Sequence, residues 1–287
     1  MEEYYIWYVF RRWDAEAKNV TSDMTINAIF EECTLPSQMV DVTQFDYMCS
    51  NNPESTSAYT LAELYAICKS DRYKEYLAVG DEMEILLEDG VTNDVSIVFQ
   101  VYGFNHYERE TSTEDNVQLA HVVFGMKGIL IGNRQMNSGN TNSGGWDGCA
   151  MRTWLNGTMI KALPVMLRNM IESVQVLASA GKQSAEILTS IDKLFLFSEA
   201  EVGSSTSAVP YMNEVSANAE TKTFSLVTTT SSRIKKTFNG TGSAQYWWLR
   251  SPDASTTTHF RYVNHGGIIS SNGAFTSYGV AFGFNIG

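Results

Sequence analysis

The stretch Tyr246–Gly287 reads YWWLRSPDASTTTHFRYVNHGGIISSNGAFTSYGVAFGFNIG, and its pattern decides how the rest of the chain is read. It opens on an apolar entry, Trp247-Trp248-Leu249, that runs into Arg250-Ser251-Pro252, a segment with the character of buried chain. It closes on Gly279–Ile286, where apolar residues alternate with the period of two that a strand requires. Between the two, Phe260, Val263 and Ile269 recur as anchors among Asp, Ser, Thr, His, Arg, Tyr, Asn and Gly. A stiff frame that presents small, polar and aromatic side chains has the composition of a binding surface rather than of a catalytic pocket.

Working outward, 287 residues with 44% hydrophobic content suffice for one large domain, or for one domain and a smaller module. Charged residues make up only 18%, which argues against a disordered chain. The formal net charge of −12 argues against nucleic acid and anionic lipid as partners and fits a role in solubility. No apolar run approaches the ~18 residues of a membrane span. The start, Met1-Glu2-Glu3, lacks the basic residues of a secretory signal, and Tyr4–Phe10 is too short and too aromatic for a signal core, so it reads as a strand. The cysteines, Cys33, Cys49, Cys68 and Cys149, fit no zinc spacing. They are expected to be buried thiols, with a Cys33–Cys49 disulfide open if the protein is exported.

Residues 1–56 form a distinct N-terminal module: a strand over Tyr4–Arg12, a strand or helix over Ser22–Cys33, an ambiguous segment over Asp41–Cys49, and a turn-rich connector from Ser50. The main domain, 57–287, begins with a helix at Thr60, a capping threonine with Glu63 three residues on and Leu61, Leu64, Tyr65 and Cys68 on one face. Helical character continues over Asp71–Leu77. Strands are expected over Glu82–Leu87 and Val95–Phe104, joined through Asp89-Gly90, and over Val117–Phe124. A polar loop, Asn137–Gly148, leads to a helix at Cys149–Asn156, with Asp147 as its expected cap. Pro164–Ile171 is a second helix, Ser173–Leu177 a strand, Asp192–Ser198 an apolar segment, and Gly203–Thr241 a long polar excursion. No fixed repeat occurs. The sum is an α+β domain with short antiparallel strands, two central helices and long polar loops, closed by the final strand.

Several runs occur in one order: Gly80-Asp81, Tyr102–His106, Met136-Asn137 through Trp146, Met151-Arg152 with Leu155-Asn156, Leu163-Pro164, Asp192–Leu196, Trp247–Pro252 and Gly279–Phe284. From about Ala58 onward the chain thereby resembles an uncharacterised domain family of gut bacteria and their phages. The C-terminal part of that family is similar to the C-type-lectin-like fold, in the branch shared with formylglycine-generating enzymes and with the variable proteins of diversity-generating retroelements. The resemblance implies a twisted C-type-lectin-like domain whose segment 246–287 displays a diversifiable binding face, since mutagenesis at adenines scatters asparagine codons over the kinds of side chain found at 253–278.

The chemistry of the enzyme branch finds no support in the residues. No cysteine follows Cys149, which removes copper–thiolate chemistry, and no glutamate follows Glu220, so His259 and His265 lack the carboxylate and third ligand of an iron site. Calcium at Asp147 lacks a partner motif. His106 belongs to no Ser-His-Asp order and is expected to serve in structural hydrogen bonding. Gly139–Gly148 lacks the lysine of a phosphate loop and is expected to pack beneath the C-terminal segment. Arg250 is read as architectural, stacking on Trp and bridging carbonyls, with one of Trp247 and Trp248 in the core and the other covering a loop. The candidate ligand contacts are Asp253, His259, Arg261, Tyr262, Asn264, His265, Ile268, Ser270, Asn272, Phe275, Ser277 and Tyr278, because rigid aromatic and arginine side chains make hot spots.

The expected function is non-catalytic recognition of a protein or glycan on another surface, with no catalytic residue, cofactor or metal, no nucleic-acid partner and no membrane insertion. The expected setting is a virion tip or bacterial surface, with the N-terminal module joining the domain to a carrier or to further copies through its aromatic strand. Two alternatives stand: an enzyme with a cleft built on His106, Asp147 and Arg250, and a purely structural virion or cell-surface component.

Overall fold

The computed structural model describes residues 58–87, 95–130, 132–203, 223–237 and 242–287; for 4–13, 28–36, 48–49, 58, 86 and 95 it describes the backbone alone. Strands β1 (Tyr4–Trp13) and β2 (Ala28–Pro36) form an antiparallel ribbon whose register shifts between Phe10 and Arg12. The segment read as strand or helix is therefore strand from Ala28. Strands β3 (Met48–Cys49) and β4 (Ala58–Tyr59) precede α1 (Leu61–Lys69) and α2 (Tyr73–Tyr76). The capping box is formed as its sequence requires: the Thr60 hydroxyl accepts from the Glu63 amide and the Glu63 carboxylate accepts from the Thr60 amide at 2.8 Å.

The β5 (Glu82–Leu87) and β6 (Val95–Phe104) strands pair antiparallel over the expected residues; their connection, with Asp89-Gly90, lies outside the described residues. Strand β7 is Val122–Met126, later than the expected Val117–Phe124. Residues 113–121 instead turn back along Tyr107–Arg109, with the Arg109 amide donating to Gln118 and the Ala120 amide to Tyr107, and the β-branched Val117 is 58% exposed. Helix α3 (Ala150–Trp154) passes through a π-helical turn, Leu155–Met159, into α4 (Ile160–Ala162), and α5 (Val165–Met170) follows Pro164. The cap of α3 is Cys149, whose sulfur accepts from the Arg152 amide; Asp147, expected there, pairs with the Arg152 guanidinium. A hairpin, β8 (Val174–Ser179) and β9 (Ile187–Asp192), leads to β10 (Phe195–Leu196). Strands β11 (Trp247–Pro252), β12 (His259–Val263) and β13 (Ile269–Gly273) make a separate three-stranded antiparallel sheet, and β14 (Phe282–Ile286) returns to the main one. Strands, helices and antiparallel sheets together make the chain a mixed α+β protein.

The main sheet has the order β10-β14-β7-β6-β5-β3-β4. Met48–Cys49 thus joins it from the N-terminal side of residue 56. In β6 the alternation is direct: Ile97, Phe99 and Val101 are buried while Val98 and Gln100 are half-buried. On one face Phe99 meets Phe282 and Phe284 edge-on, and Phe284 stacks on Phe124. On the other, Tyr102 stacks on Phe197 at 4.7 Å between ring centres. Close approach there requires Gly125 and Gly283, because a Cβ on either would lie 2.7 or 2.6 Å from the Phe197 ring. Burial of such aromatic area is the dominant stabilising term of the core.

Lys235 is buried under this layer, donating to Tyr102 Oη at 2.8 Å and to the Met126 carbonyl, with its ammonium over the Trp247 ring. Burial pushes its amine down to about 7.

The loop 137–148 lies under the small sheet as its glycines anticipate. The Asn142 side chain donates to the carbonyls of Thr256 and His259 and accepts from the Lys182 amide. Gly145, at φ +55, rests against the hairpin, where a Cβ would fall 1.7 Å from the Ser179 carbonyl oxygen. Gly145→Ala is therefore expected to cost about 2 kcal/mol or more and to lower Tm by several degrees. Gly139→Ala, with open space around its Cβ, is expected to leave Tm unchanged; thermal melts of the two variants check this.

Candidate binding face

Below the C-terminal sheet lies a buried polar cluster. Arg250 of β11 forms a bidentate pair with Glu201, at 2.6 and 2.9 Å, and also donates to the carbonyls of Leu177 in β8 and Leu196 in β10. Glu201 further accepts from Tyr107 Oη at 2.7 Å and from the Ser198 amide, and lies 3.1 Å from His106 Nε2. Burial works to raise the Glu201 carboxyl, but the Arg250 charge and the His106 contact outweigh it and hold the group well below the usual carboxylate range. Arg250 is thus architectural, through carbonyls and a carboxylate; the ring it approaches is Tyr107 rather than a tryptophan. Both Trp247 and Trp248 are fully buried, each spending its indole N–H on a loop carbonyl, Arg233 and Arg134 respectively, so neither lies outside the core.

Strand alternation divides the expected contacts between the two faces of the small sheet. On one face, Arg261 clamps Glu199 with two hydrogen bonds, at 2.8 and 2.9 Å, and donates to Asp253 at 2.9 Å. The Asp253 side chain is 6% exposed and also accepts from Ser255, so its carboxylate points inward and not to solvent. Burial works to raise Asp253; hydrogen bonds from Ser255, Ser271 and Arg261 prevail and lower it to about 2. His259 is half-buried on this face, 3.5 Å from Ser271 Oγ.

The other face is aromatic. Tyr262 lies opposite Trp248 on one side and Ser270 on the other. Tyr278 packs on Trp248 at 4.7 Å and on Tyr262 at 4.8 Å between ring centres, and accepts from Asn272 Nδ2 at 2.7 Å. Burial and the neighbouring tyrosines raise its hydroxyl pKa against the Asn272 hydrogen bond. Tyr246 stacks on Tyr278 at 5.1 Å and meets His265 edge-on at 5.2 Å. The three tyrosines are half-buried over the buried Trp248, and His265 is exposed. The remaining candidates sit at loop tips: Asn264 shapes the β12–β13 turn through its side-chain oxygen, beside exposed Ile268, and exposed Phe275 and Ser277 lie between β13 and β14.

Sequence reasoning did not single out three members of this face. Tyr246 was findable, since it precedes Trp248 by two residues and alternation puts both on one side. Arg134 and Trp154 carried no such signal. Arg134 pairs with Tyr278 in an antiparallel bridge, which sets their side chains opposite each other on one side, and its guanidinium lies 3.8 Å from the Trp154 ring centre. Partial burial lowers the Arg134 pKa.

Of the groups considered for enzyme chemistry, His106 and Arg250 meet at Glu201, sealed from solvent, whereas Asp147 is exposed on Arg152. Cys68 and Cys149 are buried free thiols, raised by burial, Cys149 to about 12; the side chains of Cys33 and Cys49 lie outside the described residues. Among the described residues, no group of three or more His, Cys, Asp or Glu side chains is gathered as a metal site would need, and no helix is long and apolar enough to cross a membrane.

The fold and this face define an α+β protein whose small C-terminal sheet carries an aromatic surface on one side. The chain belongs to the DUF6273 family, described as a domain of unknown function, whose model matches residues 120–287. The match begins well inside the region of resemblance from Ala58 and takes in all of β7 to β14. No curated protein and no solved structure matches the chain.

Arg250→Ala is expected to destabilise by about 3–5 kcal/mol, because Glu201 is left buried without its guanidinium partner, and adding Glu201→Gln is expected to recover part of that loss; denaturant titration checks both. Asp253 contributes stability that is present above its ordinary value of 3.8 and lost as pH falls through about 2. The Tm gap between the wild type and Asp253→Asn is therefore expected to shrink from pH 4 to pH 2.

Proposed function

We propose that the chain is a non-catalytic recognition protein whose C-terminal face contacts a protein or glycan on another surface. One observation carries this reading. Tyr246, Tyr262 and Tyr278 stand half-exposed on a buried Trp248 floor, while the charged side chains of the same segment are spent on internal pairs. Rigid rings on a fixed floor give contact area at little entropic cost, which suits binding. The contact set then comprises Tyr246, Tyr262, His265, Ser270, Asn272 and Tyr278, with Asn264, Ile268, Phe275 and Ser277 at the rim. Asp253 and Arg261 support the sheet from behind, beside His259.

The finer reading is a C-type-lectin-like domain with a diversifiable segment, as in the variable proteins of diversity-generating retroelements, carried on a virion tip or bacterial surface. Its support is the order of the sequence motifs, the small separate sheet that carries 259–273, and a backbone pinned by Arg250 and Asn142 beneath outward side chains whose exchange would leave those anchors in place. Attachment to a carrier or to further copies falls to the N-terminal module. The enzyme reading is weaker, because the groups that converge do so on a carboxylate without solvent access. A structural component would have the same face covered by neighbouring subunits.

Tyr246→Ala with His265→Ala is expected to reduce binding at least ten-fold in a screen of glycans and bacterial cells while Tm stays within a few degrees; binding at wild-type strength would reject the assignment. A reverse transcriptase gene beside a near-copy of the 3′ end, differing at adenines, is the genomic companion expected of the diversified reading.

A further inference from the structure

We propose that the tyrosine face takes a carboxylate-bearing sugar, a uronic-acid type of pyranose, with Arg134 as the fork that holds its carboxylate; this deepens the binding reading above and rests on it. The first ground is placement. Arg134 is exposed, its backbone is paired with Tyr278 in both directions at 2.8 and 3.0 Å, and its carbonyl takes the Trp248 indole N–H. A guanidinium so anchored, and laid on the Trp154 ring, is held in position before any ligand arrives.

The second ground is charge. Among the described residues, no carboxylate pairs with Arg134, and no hydrogen-bond acceptor takes its side-chain N–H groups. The chain carries net charge −12, yet from residue 221 to 287 its one acidic side chain is Asp253, which is committed to Arg261. From 128 to 146 there is none. Among the described residues, Arg134 is thus a guanidinium stacked on Trp154 with no carboxylate partner, on a face whose own segments carry one committed acidic side chain. Planar, bidentate recognition of a carboxylate is what such a fork does best.

The third ground is the character of the neighbours. Tyrosine rings offer flat apolar area to the C–H groups of a pyranose, while their hydroxyls, Ser270 and Asn272 offer hydrogen bonds to its hydroxyls. The large exposed apolar side chains of this region, Ile268 and Phe275, are at the loop tips rather than in the middle of the face, where an apolar peptide anchor would need them. These features favour an acidic sugar over an acidic peptide.

The full-length chain should be titrated with trigalacturonate, following tryptophan fluorescence, which Trp154 and Trp248 report, and heat release. Maltotriose and poly-L-glutamate serve as comparators. Trigalacturonate is expected to bind, maltotriose at least ten-fold more weakly, and poly-L-glutamate without competing. Arg134→Gln is expected to lower trigalacturonate affinity at least ten-fold at unchanged Tm, with Arg134→Lys failing to restore it. Equal affinity for the neutral sugar, or no effect of Arg134→Gln, overturns the proposal; the binding reading survives if Tyr246→Ala still abolishes binding. Tighter binding of poly-L-glutamate overturns it in favour of a peptide partner. Binding to no probe also overturns it, and the surface screen with Tyr246→Ala and His265→Ala then decides the wider reading separately.

Discussion

The C-terminal half of this protein depends on one buried ion pair, Arg250 with Glu201. A charged pair of this kind is not a cheap source of stability, since desolvation offsets most of the attraction. Its value here is geometric. The five donors of one guanidinium and the two oxygens of one carboxylate reach β8, β10, the 106–107 segment and the 198–201 turn from a single point on β11. None of those segments can shift without stranding a charge. The small sheet is thereby fixed on the main one at a defined angle, and its outer face becomes a surface of fixed shape.

The two sides of that small sheet divide the work. The side with Arg261, Asp253 and Glu199 is a closed electrostatic clamp, satisfied within the chain. The side with the tyrosines leaves ring area and hydroxyls in reach of solvent above a tryptophan floor. A substitution on the first side strands a buried carboxylate, while one on the second removes contact area and little else.

Local rules were legible in the sequence. The Thr60–Glu63 box and the β5–β6 pair follow from capping chemistry and period-two alternation and stand where those rules put them, while the final strand, expected from Gly279, begins at Phe282 and is buried on both faces. Rules that depend on long-range partners were not. Val117 looked like strand because it is β-branched, but the turn that follows Arg109 exposes it. Asp147 looked like a cap because carboxylates cap helices, but Arg152 draws it away and a cysteine takes its place. In the candidate site, the residue types were readable and their sidedness was not: Asp253 and Arg261 find Glu199 across a long stretch of chain, and Arg134 reaches Tyr278 from a different loop. Composition reports which residues make a surface, whereas only pairing across the chain reports which side of it they occupy.

The position of β14 bears on how the molecule is made. It lies between β10 and β7, so the strands on either side of it have no hydrogen-bonded neighbour in common until residues 282–286 have left the ribosome. Phe282 and Phe284 bring with them the rings against which Phe99 and Phe124 pack. A chain cut before Phe282 would consequently present an open sheet edge and bare aromatic rings to chaperones and proteases.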